Sequence, residues 1–113
     1  MLRRVRILLV LVAVLATALP AQASGGKALR VDRPDKGAGA RVTTVHVVRG
    51  AVARRIQAVV LTDTRCNPDA RGISHCLNRM RLADGTLVTV QHDHRMMDMP
   101  CLSPGEHVTL TPR

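Results

Sequence analysis

The 113-residue sequence contains no Phe, Tyr or Trp. A core built from it has to close with aliphatic and sulfur side chains. Recognition by base stacking, on which single-strand nucleic-acid binding by small barrels leans, is excluded, so no nucleic-acid partner is expected. Carboxylates are also scarce, eight Asp and Glu against 17 Lys and Arg, and only two of those cations are lysine. The carboxylates are scattered, no glycine-flanked serine occurs and no phosphate-cradling loop follows a strand, so the common hydrolase and nucleotide-binding patterns are missing. Cys101 with His92 or His94 as base is the only nucleophile pair on offer, and it sits among thioethers that point away from catalysis. We expect a non-enzyme.

Long apolar runs are absent but for one, Ile7 to Leu19, which falls short of the roughly 20 residues that span a bilayer. Arg3, Arg4 and Arg6 precede it and Ala21-Gln22-Ala23 follows, which is the pattern of a signal peptide over residues 1–23. No Cys follows the run to take a lipid, and Val5 and Arg6 do not supply a twin-arginine context. The expectation is ordinary export to the periplasm or beyond the cell, with no stable membrane anchor. Removing residues 1–23 takes away three arginines and no carboxylate, leaving 14 Lys and Arg against 8 Asp and Glu, a net charge of +6.

Residues 24–41 hold Gly25, Gly26, Gly37, Gly39 and Pro34 among alternating charges, and read as a flexible lead-in. The folded part is then a small β-domain over residues 42–113. A core of that size rarely supplies more than about 3 to 5 kcal/mol, so a staple is expected. Export puts Cys66, Cys76 and Cys101 where a disulfide persists. Cys66 and Cys76 flank the turn-rich Asn67-Pro68-Asp69-Ala70-Arg71-Gly72, which favours that pair, worth about 3 kcal/mol for a loop of this length. Pairing of Cys101 with either of the others, or between chains, remains open.

β-branched residues recur in short runs bounded by Gly, Pro and Asp, and no segment after residue 23 keeps a helical stripe, so the fold class is all-β. Val42 to Val48 is one strand, with Gly50 as a bulge or bend before Ala51 to Thr62. Cys76 to Leu82 and Thr86 to His92 form a hairpin. A three-residue turn with Gly85 in the left-handed region opposes Met80 to Val88, puts Met80, Val88 and Val90 on one face and sets Cys76 opposite His92. His107 to Thr111 closes the chain after a turn at Ser103-Pro104-Gly105-Glu106. The architecture expected is a five-stranded OB-like barrel or a compact β-meander.

The segment from His92 to Cys101 packs two imidazoles, three thioethers and a thiol into ten residues. Met and Cys select Cu(I), and imidazole suits copper. His92, His94, Met96, Met97, Met99 and Cys101 are therefore the candidate ligands. Unbroken strand alternation would send His92, His94 and Met96 to one face and Met97, Met99 and Cys101 to the other. Pro100 and the doubled Met96-Met97 suggest that the chain leaves the strand near Arg95, so a loop can gather donors from both sets. His92, Met97 and Met99, with His94 or Cys101 added, form the expected set, with Asp93 or Asp98 orienting an imidazole.

Val88-Thr89-Val90-Gln91-His92-Asp93, Met97-x-Met99 and Pro104-Gly105-Glu106-His107-Val108 together resemble the periplasmic copper/silver-binding proteins of the CusF type, over residues 86–110. The resemblance implies an OB-like barrel carrying Cu(I) or Ag(I) to an efflux pump or other acceptor protein, with His92, Met97 and Met99 as ligands. This chain departs from that family in lacking its metal-stacking Trp and in a shorter His-to-Met interval. The other reading of the composition is a cationic, disulfide-stapled envelope module without metal, whose local charge lies at Arg54-Arg55 and Arg79-x-Arg81.

Overall fold

The computed structural model describes residues 26–113 and Ala13, so the signal peptide expected over residues 1–23 otherwise lies outside the described residues. Six strands follow in order: β1 (Ala28–Asp32), β2 (Val42–Arg49), β3 (Ile56–Thr64), β4 (Ser74–Leu82), β5 (Leu87–His94) and β6 (His107–Pro112). They close into a barrel in the order β1-β2-β5-β4-β3-β6, with every neighbouring pair antiparallel and β6 returning to β1. The all-β small barrel expected from the sequence is thus what forms, with six strands in place of five. It is not a meander, because β2 pairs with β5 in a Greek-key arrangement.

The additional strand is β1, inside the segment read as a flexible lead-in. Leu29 and Val31 alternate with exposed Arg30 and face the barrel interior, almost wholly buried. Without β1 the free edges of β2 and β6 would stand unpaired, and this five-residue strand removes both. Its pattern is too short, and too surrounded by glycine and charge, to stand out in the sequence. Only the short 3-10 turn Ala38–Ala40 and its flanks behave as a connecting loop.

The β4–β5 hairpin has the expected register, Met80 opposite Val88 and Cys76 opposite His92. Gly85, at φ +87°, supplies the left-handed position that closes the three-residue turn. Gly50, also at φ +87°, ends β2 where an added Cβ would stand 2.9 Å from the Leu87 carbonyl oxygen, so the close approach of backbones requires glycine there. The following Ala51 to Arg55 are a connection, and β3 begins only at Ile56.

Alternation along this hairpin divides the barrel interior. Near the turn the inward residues are Met80, Leu82, Val88 and Val90, which join Leu29, Val31, Val45, Val60, Leu102 and Leu110 in the aliphatic core. Toward the open end they become Ser74, Cys76, Asn78, His92 and His94, all buried. The His92 and His94 rings lie 4.0 Å apart and within 10° of parallel. In a chain without benzene or indole rings, two imidazoles provide the flat packing surface.

Candidate metal centre

The polar end of the barrel is organised by Arg33, which follows β1 and is fully buried. All five of its side-chain N–H groups find acceptors: Glu106 Oε1 and Oε2 at 2.6 and 3.0 Å, the Pro100 and Cys101 carbonyl oxygens at 2.8 Å each, and Met99 Sδ at 3.4 Å. Glu106 also accepts from the Ser103 amide at 3.0 Å. Burial alone would raise the Glu106 carboxyl, but the Arg33 hydrogen bonds, the Ser103 amide and the Arg33 charge hold it below the usual range. This pair fixes the loop from Met99 to Ser103 against the barrel.

β5 ends at His94, and the chain turns at once, with the Asp98 and Met99 amides donating to the Arg95 carbonyl at 3.0 and 2.9 Å. The turn carries Met96 and then Cys101 back over His94. His94 Nδ1 donates to the Met99 carbonyl oxygen at 2.7 Å. A carbonyl can only accept, so Nδ1 carries a proton, and in the neutral imidazole the lone pair is on Nε2. That lone pair faces sulfur: Cys76 Sγ at 3.3 Å and Cys101 Sγ at 4.0 Å. The Cys101 thiol in turn donates to Met96 Sδ at 3.2 Å.

Cys66 and Cys76 form the disulfide favoured by the turn between them, and Cys101 is the free thiol. Among the described residues, one oxygen of Asp63 and the sulfurs of Cys66, Cys76 and Cys101 lie within 4.8 Å of one another. Asn78, buried on β4, donates to Asp63 at 3.0 Å and so aims the carboxylate at the sulfurs. Burial, followed by the Asp63 charge and hydrogen bond, pushes the Cys101 thiol up, so at rest it keeps its proton. A protonated thiol among thioethers is a poor nucleophile and a good latent soft ligand.

Of the expected ligands, then, His94, Met96 and Cys101 come together, and His92, Met97 and Met99 do not join them. His92 Nε2 is paired with the Thr43 hydroxyl at 2.9 Å, deep in the barrel. Burial, then the neighbouring His94 and Arg33 charges, lowers its pKa to about 3, so it is a neutral packing imidazole. The Met99 sulfur is taken by Arg33. Met97 is 97 % exposed at the tip of the turn. The set implied by the family resemblance is therefore dispersed. Asp93, expected as a possible orienting group, lies on the outer face of β5 and accepts from His75 Nδ1 at 2.6 Å. The Met99 carbonyl performs the orienting role instead.

Sequence reasoning missed Asp63 and Arg33. The pairing of Cys76 with His92 does bring the disulfide close to the candidate site, as the sequence leads one to expect. Met97→Ala is expected to change neither stability, by more than about 0.5 kcal/mol, nor metal affinity. Urea unfolding and a Cu(I) titration of this variant check both, and a large loss of affinity would restore Met97 as a ligand.

The chain is thus a small closed β-barrel with a candidate Cys/Asp metal cluster, two of its three cysteines joined in the disulfide, at the end where the aliphatic core gives way to polar side chains. No family model, curated protein or solved structure matches it.

Proposed function

We propose that this protein is an exported, non-catalytic Cu(I)-binding barrel that serves as a metal buffer or as a chaperone delivering copper to an acceptor or efflux protein. The ligands are Cys101, Met96 and His94. The observation that carries this reading is that the Met99 carbonyl holds His94 with Nε2 4.0 Å from the one free thiol, which itself touches a thioether. Donors bound about 2.0 to 2.3 Å from one ion stand roughly 3 to 4 Å apart. The separations here, 3.2 Å from Met96 Sδ to Cys101 Sγ and 4.0 Å from Cys101 Sγ to His94 Nε2, are of that size.

The donor set favours a soft, singly charged ion. With one thiolate supplied by Cys101, Cu(I) gives a neutral complex, which suits a half-buried site beside Arg33 better than a divalent ion does. Met96 is 53 % exposed, so the ion would be reachable from solvent and from a docking acceptor.

Competition with a chromophoric chelator tests the ligand set. Cys101→Ser is expected to weaken Cu(I) binding by more than about 100-fold, beyond the loss that a supporting group causes. His94→Gln and Met96→Leu should each weaken it by about 10-fold or more. All three variants should keep the far-ultraviolet β-spectrum of the parent. Undiminished affinity in Cys101→Ser would refute the reading.

A further inference from the structure

In the oxidised protein Cys66 and Cys76 cannot act as thiolate ligands, because each sulfur is committed to the other. Yet their sulfurs, Cys101 Sγ and an Asp63 oxygen occupy a single envelope in which no two lie more than 4.8 Å apart. Four donors at about 2.0 to 2.3 Å from a tetrahedral zinc ion stand about 3.3 to 3.8 Å from each other. Opening the disulfide lets its sulfurs separate toward that distance, while Cys101 and Asp63 are already placed. The scaffold holds both: Arg33 grips the Cys101 carbonyl and Asn78 grips Asp63.

We propose that the Cys66–Cys76 disulfide is a redox gate over a second metal site, in which Asp63, Cys66, Cys76 and Cys101 bind one zinc-class divalent ion once the disulfide is reduced. This does not depend on the Cu(I) reading, with which it shares only Cys101. A dithiol reductant breaks the Cys66–Cys76 bond, becomes a cyclic disulfide itself and leaves two thiols on the protein. The ion then displaces the protons of three thiols to solvent and accepts three thiolates and one carboxylate. Because Cys101 belongs to both sets, the divalent ion in the reduced state and Cu(I) in the oxidised state exclude one another. Three thiolates and a carboxylate suit Zn(II), and the intact disulfide withholds two of those thiolates.

The test uses the full chain, oxidised or reduced with dithiothreitol and then desalted under argon, titrated with Co(II) as a spectroscopic stand-in for Zn(II). The reduced protein should take up one Co(II), with tetrahedral absorption and intense thiolate-to-cobalt charge-transfer bands. One Zn(II) should displace it, and all three thiols should then resist alkylation. Neither band should appear in the oxidised protein. In the reduced state, Cys101→Ser should lose more than about 100-fold in Zn(II) affinity and Asp63→Asn about 10-fold or more. In the oxidised state Asp63→Asn should not weaken Cu(I) binding, because losing the charge that holds the proton on Cys101 favours the thiolate, whereas His94→Gln should weaken only Cu(I). If reduction unfolds the barrel, stoichiometric Zn(II) should restore its β-spectrum. Reduced protein without charge-transfer bands, failure of Zn(II) to restore a lost fold, or full Zn(II) affinity in Cys101→Ser overturns the proposal. Loss of Cu(I) binding alone would overturn only the reading of the previous section.

Discussion

Replacing Arg33 by Ala is expected to destabilise the barrel by about 3 to 5 kcal/mol, the usual result of removing one partner from a buried ion pair. The Arg33 and Glu106 side chains are 0 % and 8 % exposed, and truncation leaves the Glu106 carboxylate with the Ser103 amide as its remaining partner. It also leaves the Pro100 and Cys101 carbonyls without their donor. The loss should be large because a charge remains buried, rather than because the pair is strongly favourable. Arg33→Met combined with Glu106→Leu should therefore recover much of it, since apolar replacement of both partners removes the uncompensated charge. Urea unfolding of the two variants decides the matter. A loss below about 1 kcal/mol in Arg33→Ala would mean that residues 24–41 are the loose lead-in their composition suggests.

Stability should also fall with acidification across an unusually high window. His92 has a folded pKa of about 3 against an ordinary 6.5. The unfolded chain binds this proton first, so stability is full above pH 6.5 and declines as pH falls, by about 1.4 kcal/mol per unit, until the folded state also protonates. Between pH 6.5 and 4.5 the expected loss is about 2 kcal/mol. Glu106, whose folded pKa is lowered, adds its loss only as pH drops below its ordinary 4.5. His75 works in the opposite sense. Its hydrogen bonds, first to Asp69 and then to Asp93, raise its pKa, so its contribution is complete below 6.5 and fades only at higher pH. The interval from 4.5 to 6.5 thus separates His92 from Glu106 and His75. Denaturation midpoints at several pH values should slope in the parent and flatten in His92→Gln, and parallel slopes would contradict the assignment.

What the sequence makes legible is whatever is local. The β4–β5 register follows from alternation and the left-handed demand at Gly85, and the hairpin residues by themselves set Cys76 against His92. The Cys66–Cys76 bond is the pairing favoured by the turn-forming chain between two cysteines ten positions apart. What stays hidden is carried by contacts across the sequence. Arg33 meets Glu106 over a separation of 73 residues, and nothing near Arg33 marks it as an interior residue. β1 is stabilised by two partners that lie far along the chain or across a glycine-rich loop.

The ligand set was half legible for the same reason. Period-two alternation correctly turns His92 and His94 inward, but it cannot say how the chain folds once it leaves β5. The tight turn at Arg95 exposes Met97, gives Met99 to Arg33 and returns Cys101 to His94. Six candidate donors in sequence therefore become a group of three in space, beside Asp63 and a disulfide from elsewhere in the barrel.

The central claim is that Cys101, backed by His94 and Met96, is a soft-metal ligand. Its most direct test is an anaerobic Cu(I) titration of the disulfide-intact protein against a chromophoric chelator, with the free thiol counted before and after. The account predicts one retained equivalent of Cu(I), with the single reactive thiol protected in step with metal uptake. Copper fully surrendered to the chelator, or retained while Cys101 still reacts freely, would contradict it.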